Sequence, residues 1–218
     1  MKVYFISGIG ADYRLFKNIV LPSSCTAEYL HYVTARKGES IPQYAARLSE
    51  PIDKDEPFAL VGLSLGGIMA TEISRITQPV CTVIISSVYS SEQLPGHFRL
   101  AAKLRLHRLI YPGFMKIAAT CKHLLTTKGA ENKKLMRKII WDGNNQFIYW
   151  GMNAVLNWKN NTKPDNLIHI HGTRDEVFPI KNTQPDYILK GGHMLVFNQS
   201  PRINALLQEI FSRYNRNP

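Results

Sequence analysis

Phe58-Ala59-Leu60-Val61-Gly62-Leu63-Ser64-Leu65-Gly66-Gly67-Ile68 is the stretch on which the reading of this chain turns. Its first half is a continuous apolar run, the pattern of a strand buried on both faces. Ile68, Met69, Ile73 and Ile76 then recur at roughly helical spacing. Strand, turn and helix are so close together that the turn must be sharp. Such a turn strains the backbone of Ser64 and pushes its Oγ clear of the sheet. The residues two positions away on either side must be small, and Gly62 and Gly66 are. The helix that begins here aims unpaired N–H groups and a positive dipole end at the hydroxyl. The amide of Leu65 is therefore placed to stabilise an oxyanion. Taken alone, the pentapeptide also reads as a glycine-rich turn with a bystander serine.

Outward from this stretch, strands and helices alternate. Lys2 to Ser7, Ala27 to Val33, Phe58 to Leu63, Val80 to Ser86, Asn166 to His171 and Tyr187 to Lys190 read as strands. Tyr13 to Ile19 reads as a short helix or turn. Ser40-Ile41-Pro42-Gln43 opens a helix with a serine cap, a proline in the first turn and a capping-box glutamine. Leu65 to Thr77 and Pro201 to Tyr214 are further helices. Phe147, Trp150, Gly151, Ala154, Val155 and Trp158 mark one face of another. The alternation predicts an α/β fold: a doubly wound, mostly parallel sheet of about six strands with helices on both faces. Between Ser90 and Gln146 the alternation stops. Leucine-rich helical stretches at Phe98 to Ile110, Phe114 to Leu125 and Asn132 to Trp141 take over. The chain thus reads as one domain, 1–218, with a helical cap inserted at 90–146.

A serine nucleophile needs a base, and the base an orienting carboxylate. His171-Gly172-Thr173-Arg174-Asp175 puts Asp175 beyond the end of one strand, and Gly191-Gly192-His193 puts His193 beyond the end of another. Glu176 is the alternative acid, since the strand before ends in Ser86 and Ser87. His31, His97, His107 and His123 lack a strand-end context. His169 and His171 alternate on one strand face and read as buried, satisfied histidines.

The three blocks Gly62-Leu63-Ser64-Leu65-Gly66-Gly67, His171 to Asp175 with Pro179, and Gly191-Gly192-His193 resemble the signature blocks of the α/β-hydrolase superfamily in their usual order. The resemblance covers nearly the whole chain outside the cap. It implies a serine hydrolase, carboxylesterase-, lipase- or thioesterase-like, with Ser64, Asp175 and His193 as catalytic residues working through an acyl-enzyme. It also implies that Ile9 and Leu65 supply the oxyanion amides. The family's usual His-Gly is Ser7-Gly8 here, so another residue must support that loop; Asp12 and Arg14 are candidates. The first strand is expected in the middle of the sheet, beside the strand leading into Ser64. Carbon–carbon bond cleavage or lyase chemistry on the same scaffold, and a non-catalytic binding protein, are the competing readings.

The 218 residues suffice for one domain with a sizeable core. No apolar run is long enough to span a membrane, and the start reads as a strand and not as a signal, so a cytoplasmic location is expected. Cys25, Cys81 and Cys121 fit neither a disulfide framework nor a metal knuckle. No metal-spaced cluster or phosphate-binding glycine loop is present, and Gly8-Ile9-Gly10 lacks the rest of a dinucleotide fingerprint; no cofactor or metal is expected. The net charge of +11 is uneven: residues 90–146 hold eleven Lys or Arg against three Asp or Glu. Such an excess attracts an anionic substrate, a membrane surface or nucleic acid, or simply solvates a helical face. No nucleic-acid module accompanies it. The expected partner is a small acyl ester or thioester. Tyr111, Phe114, Trp141, Phe147, Tyr149 and Trp150 are candidates for acyl-pocket walls or core packing.

Overall fold

The computed structural model describes residues 1–103, 113, 116–117, 119–120 and 126–214, without the side chains of 99 and 101–103. Among these, six strands form one parallel sheet: β1 Lys2–Ile6, β2 Thr26–Tyr29, β3 Phe58–Leu63, β4 Cys81–Ile85, β5 Leu167–Gly172 and β6 Tyr187–Leu189. Their order is β2-β1-β3-β4-β5-β6. The chain runs from β1 out to the β2 edge, then crosses back to β3 on the other side of β1. β1 is thus an interior strand but one step from the edge, not central, because β4, β5 and β6 all add beyond β3. Ile6 pairs with Gly62, and Leu63 with Ile85. That register brings the carboxyl ends of β1, β3 and β4 level.

Period-two alternation feeds two cores. Tyr4 and Ile6, Phe58 and Leu60, and Ile84 point to one face. Val3 and Phe5, Val61 and Leu63, and Val83 and Ile85 point to the other. The first face is covered by α1 Ile41–Leu48, α2 Leu65–Ser74 and, beyond a third helix (α3 Gly96–Lys103), by α5 Asn145–Asn157. The second is covered by a 3-10 turn at Tyr13–Phe16, by α4 Ala130–Asp142, and by α6 Leu195–Asn198 and α7 Ser200–Tyr214. Each large aliphatic chain so buried contributes about 1.5–3 kcal/mol. α1 begins where the capping box was read: Ser40 Oγ accepts from the Gln43 amide, and the Gln43 side chain accepts from the Ser40 amide.

Several boundaries are shorter than the sequence pattern suggests. β2 stops at Tyr29, and all four of its residues are exposed, as befits an edge strand with little to pack against. α2 ends at Ser74 rather than Thr77. α6 carried no periodic signal, being a single turn. Much of the stretches read as helices at Phe98 to Ile110 and Phe114 to Leu125 lies outside the described residues, as do Tyr111, Phe114, His107, His123 and Cys121. Cys81 is fully buried, and burial pushes its thiol up to about 12, so it is a core residue in its thiol form. Among the described residues no helix is long and apolar enough to cross a membrane.

Candidate active site

Ser64 sits at the junction of β3 and α2 with φ 56° and ψ −121°, outside the regions that residues with a side chain normally occupy. Close packing around the turn imposes this. A Cβ at Gly62 would overlap the Gly66 carbonyl, and one at Gly66 would overlap the Ile6 carbonyl of β1. The strained peptide is pinned on both sides. The Ser64 amide donates to Ile85 O (3.1 Å), and the Ser87 hydroxyl donates to Ser64 O (2.6 Å). Such conformations persist only where the surroundings over-determine them.

His193 and Asp175 come to this serine from the ends of β6 and β5. His193 Nε2 lies 3.0 Å from Ser64 Oγ. His193 Nδ1 lies 2.9 Å from Asp175 Oδ2 and 3.1 Å from Oδ1. Asp175 and His193 are buried. Asp175 Oδ1 accepts from the amides of Val177 and Phe178, both at 2.9 Å. Burial alone would raise the Asp175 pKa; the facing His193 and these hydrogen bonds prevail and hold it below the usual carboxylate value. Glu176 meets the His193 backbone, its Oε2 accepting from that amide at 3.3 Å. It steadies the Gly191–His193 turn rather than the imidazole.

Behind Asp175 stands a second buried pair. His169 Nε2 and His171 Nδ1 are 2.9 Å apart, and His171 Nε2 is 2.8 Å from Phe178 O. A carbonyl only accepts, so His171 carries its proton on Nε2, and His169 must donate to His171 Nδ1. Burial, with His171 beside it, pushes the His169 pKa down to about 3; burial lowers that of His171 too. Both rings are therefore neutral. His171 is satisfied at both nitrogens, whereas among the described residues the buried His169 Nδ1 has no hydrogen-bond partner, so the expectation of satisfied histidines holds in full only for His171. Their effect reaches the site through Phe178, whose amide bonds Asp175, and directly, since His171 Nε2 lies 3.7 Å from Asp175 Oδ2.

The loop after β1 approaches the serine from the opposite side. A Cβ on Gly8 would lie 3.5 Å from Ser64 Cβ. Leu65, first in α2, has no intrahelical acceptor for its amide. Among the described residues the Ile9 amide also donates no hydrogen bond. The loop is braced internally by Ser7 Oγ donating to Ala11 O (2.8 Å) and externally by Tyr32 Oη donating to Ser7 O (2.5 Å). Arg14 pairs with both Asp12 (2.6 Å) and Asp142 (2.8 Å), tying the loop to the end of α4. Asp12 and Arg14 thus do part of the supporting work expected of them. Sequence reasoning missed Ser7 and Tyr32, because nothing in the spacing links residue 32 to residue 7.

No family model matches this sequence, and no curated protein matches it. Solved structures do. A hydrolase from Oleispira antarctica has a TM-score of 0.71 at 15% identity, over 100% of this chain and 91% of that one. The chain has the α/β-hydrolase fold. A thermophilic esterase from Thermogutta terrifontis has a TM-score of 0.70 at 13% identity, covering 98% of this chain and 90% of that one. MenH from S. aureus has a TM-score of 0.72 at 14% identity, covering 99% of this chain and 95% of that one.

On this α/β-hydrolase scaffold Ser64 and His193 open into a cavity of about 150 Å³. Its described walls are mostly aliphatic: Leu15, Leu63, Met136, Ile139, Ile148 and Met194. Of the aromatic residues suggested for this role, the described ones, Trp141, Phe147, Tyr149 and Trp150, do not line it. Phe147 packs in the core, while Trp141 and Tyr149 are exposed. The Lys116 side chain also borders the cavity, its ammonium donating to Trp141 O (3.0 Å) and Gly143 O (2.6 Å). Among the described residues no cluster of His, Cys, Asp and Glu could hold a metal ion.

Proposed function

We propose that this protein is a serine hydrolase that cleaves carboxylic esters or thioesters of small acyl groups through an acyl-enzyme. One observation carries the reading: a strained, apex-positioned serine hydroxyl 3.0 Å from an imidazole that a buried carboxylate holds at 2.9 Å. The resemblance in fold to esterases and hydrolases supports it.

In this mechanism His193 Nε2 takes the Ser64 proton as Oγ attacks the carbonyl carbon. The carbonyl oxygen becomes an oxyanion held by the Leu65 and Ile9 amides. Collapse expels the alcohol or thiol, which takes the proton back from His193. A water then gives its proton to His193 and attacks the acyl-enzyme, and the carboxylic acid leaves as Ser64 regains its proton. Asp175 keeps the Nδ1–H tautomer and stabilises the imidazolium. The segment 90–146 serves as a cap: Lys116, Ala119, Met136, Ile139 and Ile140 come from it to close the cavity over the serine. At about 150 Å³ the cavity matches in size an engineered apolar void that accepts benzene, so it suits a short acyl chain.

The test is a series of 4-nitrophenyl esters and acyl thioesters of rising chain length, run against wild type and Ser64→Ala. Turnover should be highest for short chains and fall to background in the variant. A wild type inert to every ester and thioester, or a variant as active as wild type, contradicts the reading. Turnover of a vinylogous diketone in place of esters would reassign the same residues to carbon–carbon cleavage.

A further inference from the structure

A groove of about 620 Å³ adjoins the Ser64 cavity, and Gly10 and Ala11 wall both. It has roughly four times the volume of that cavity, and no step above uses it. Its inner surface is aromatic and fixed. Tyr32 stacks on Phe147 with centroids 4.3 Å apart, and Phe147 lies 5.4 Å from Trp150. Trp150 Nε1 donates to Glu39 O at 2.9 Å, which locks its indole in place. At the mouth, Tyr13 is 51% exposed, with Tyr29 at 5.6 Å and His31 at 6.1 Å between ring centroids.

The charge balance of this groove is positive. Its two carboxylates, Asp12 and Asp142, are both bound by Arg14. Glu39, close by, is bound by Arg47. Arg36 and Lys37 also line the groove and are exposed, and among the described residues neither is in an ion pair. Two cations outside any ion pair among the described residues, the Arg36 guanidinium acting on Glu39 only through its field, thus stand at the rim of a pocket built from flat π surfaces. Flat aromatic walls favour a flat ring, and Arg and Lys so placed favour a carboxylate or phosphate.

We infer that this groove receives the leaving-group half of the substrate, an aromatic or heteroaromatic alcohol or thiol that bears an anionic group. The inference rests on the hydrolase reading for the words "leaving group"; the groove's preference for an anionic ring stands on its own. The two volumes set the polarity of the substrate. A carbonyl at Ser64 with its short acyl chain in the aliphatic cavity leaves the bulkier half to pass Gly10 and Ala11 into the larger space.

The experiment pairs two acetyl esters, 4-acetoxybenzoate and its uncharged isostere 4-acetoxybenzamide. The ratio of their kcat/KM values is measured for wild type and for the double variant Arg36→Gln, Lys37→Gln. Intrinsic reactivity cancels in the comparison of ratios. The anion-to-neutral ratio should fall about fivefold to tenfold in the variant, the scale of losing two solvent-exposed ion pairs. It should fall in wild type too when salt is raised, since exposed charges are screened. Tyr13→Ala, at an exposed position, should lower kcat/KM for both aryl esters and not for an ethyl ester. A second arm measures 4-hydroxybenzoate binding to Ser64→Ala by calorimetry, with and without the two Gln substitutions. Hydrolysis of both esters with an unchanged ratio, or binding indifferent to Arg36 and Lys37, overturns the inference. Charge-dependent binding without hydrolysis of either ester keeps the groove and removes the hydrolase reading.

Discussion

Asp175 is the residue on which the chemistry can be probed with least disturbance. Asn at this position fills the same space but inverts one hydrogen-bonding group and leaves His193 free to adopt the wrong tautomer. Turnover of Asp175→Asn should fall by up to about 10⁴-fold with KM little changed; undiminished turnover would move the acid role elsewhere. Ser64, Asp175 and His193 could be found in the sequence. Each follows a strand within a few residues, so chain order, turn chemistry and the family resemblance pointed to them, with Glu176 left as the alternative acid. What holds them was not legible. The amides of Val177 and Phe178 on Asp175, and His171 behind Phe178, are contacts of a folded loop. No periodicity encodes them. Glu176 shows the converse, since composition could not separate it from Asp175 and only the direction of its side chain does.

Two short elements set the precision of the site. The first is the β3–α2 turn. An Ala at position 66 would drive a methyl into the Ile6 carbonyl, so Gly66→Ala should cost about 3 kcal/mol through forced backbone shifts. Chemical denaturation measures this directly; a loss under 0.5 kcal/mol would mean the turn is looser than described. The second is the loop from Ser7 to Asp12. Removing the hydroxyl in Tyr32→Phe leaves the Ser7 carbonyl without its 2.5 Å donor. The loop would then hold the Ile9 amide less firmly. We expect kcat to fall about tenfold while KM and the unfolding midpoint change little, on the scale of one lost oriented hydrogen bond. An unchanged kcat would show that Arg14 and its two carboxylates suffice. The glycines of the turn were readable because steric exclusion leaves a residue-type signature. The Tyr32 brace was not, because it joins positions 25 apart through a side chain from the β2 edge loop.

At the scale of the molecule, alternating strands and helices carried the wound parallel sheet of six strands, and the family resemblance placed the first strand beside the one leading into Ser64. Neither carried how far β1 lies from the edge, since strand count beyond β3 depends on where β5 and β6 add. Two buried histidines give the whole fold a pH dependence. In the unfolded chain they titrate near 6.5; in the fold burial drives His169 to about 3 and lowers His171. Below 6.5 the unfolded chain binds more protons than the folded one, so stability rises with pH across that window and is lost on acidification. The slope approaches about 1.4 kcal/mol per pH unit for His169, and His171 adds to it in the same direction. The Asp175 carboxylate, held below its ordinary value of 3.8, adds loss only below that pH. Thermal unfolding should therefore shift downward from pH 7 to pH 5, and His169→Gln should flatten the trend; a midpoint constant over that range would contradict it. The central claim is that residues 64, 175 and 193, far apart in the chain, meet as one reactive unit at the carboxyl edge of the sheet. A fluorophosphonate probe with intact-mass and peptide mapping tests it most directly. The account predicts a single adduct on Ser64, slowed strongly in His193→Ala; an unlabelled protein, or an adduct on another residue, would contradict it.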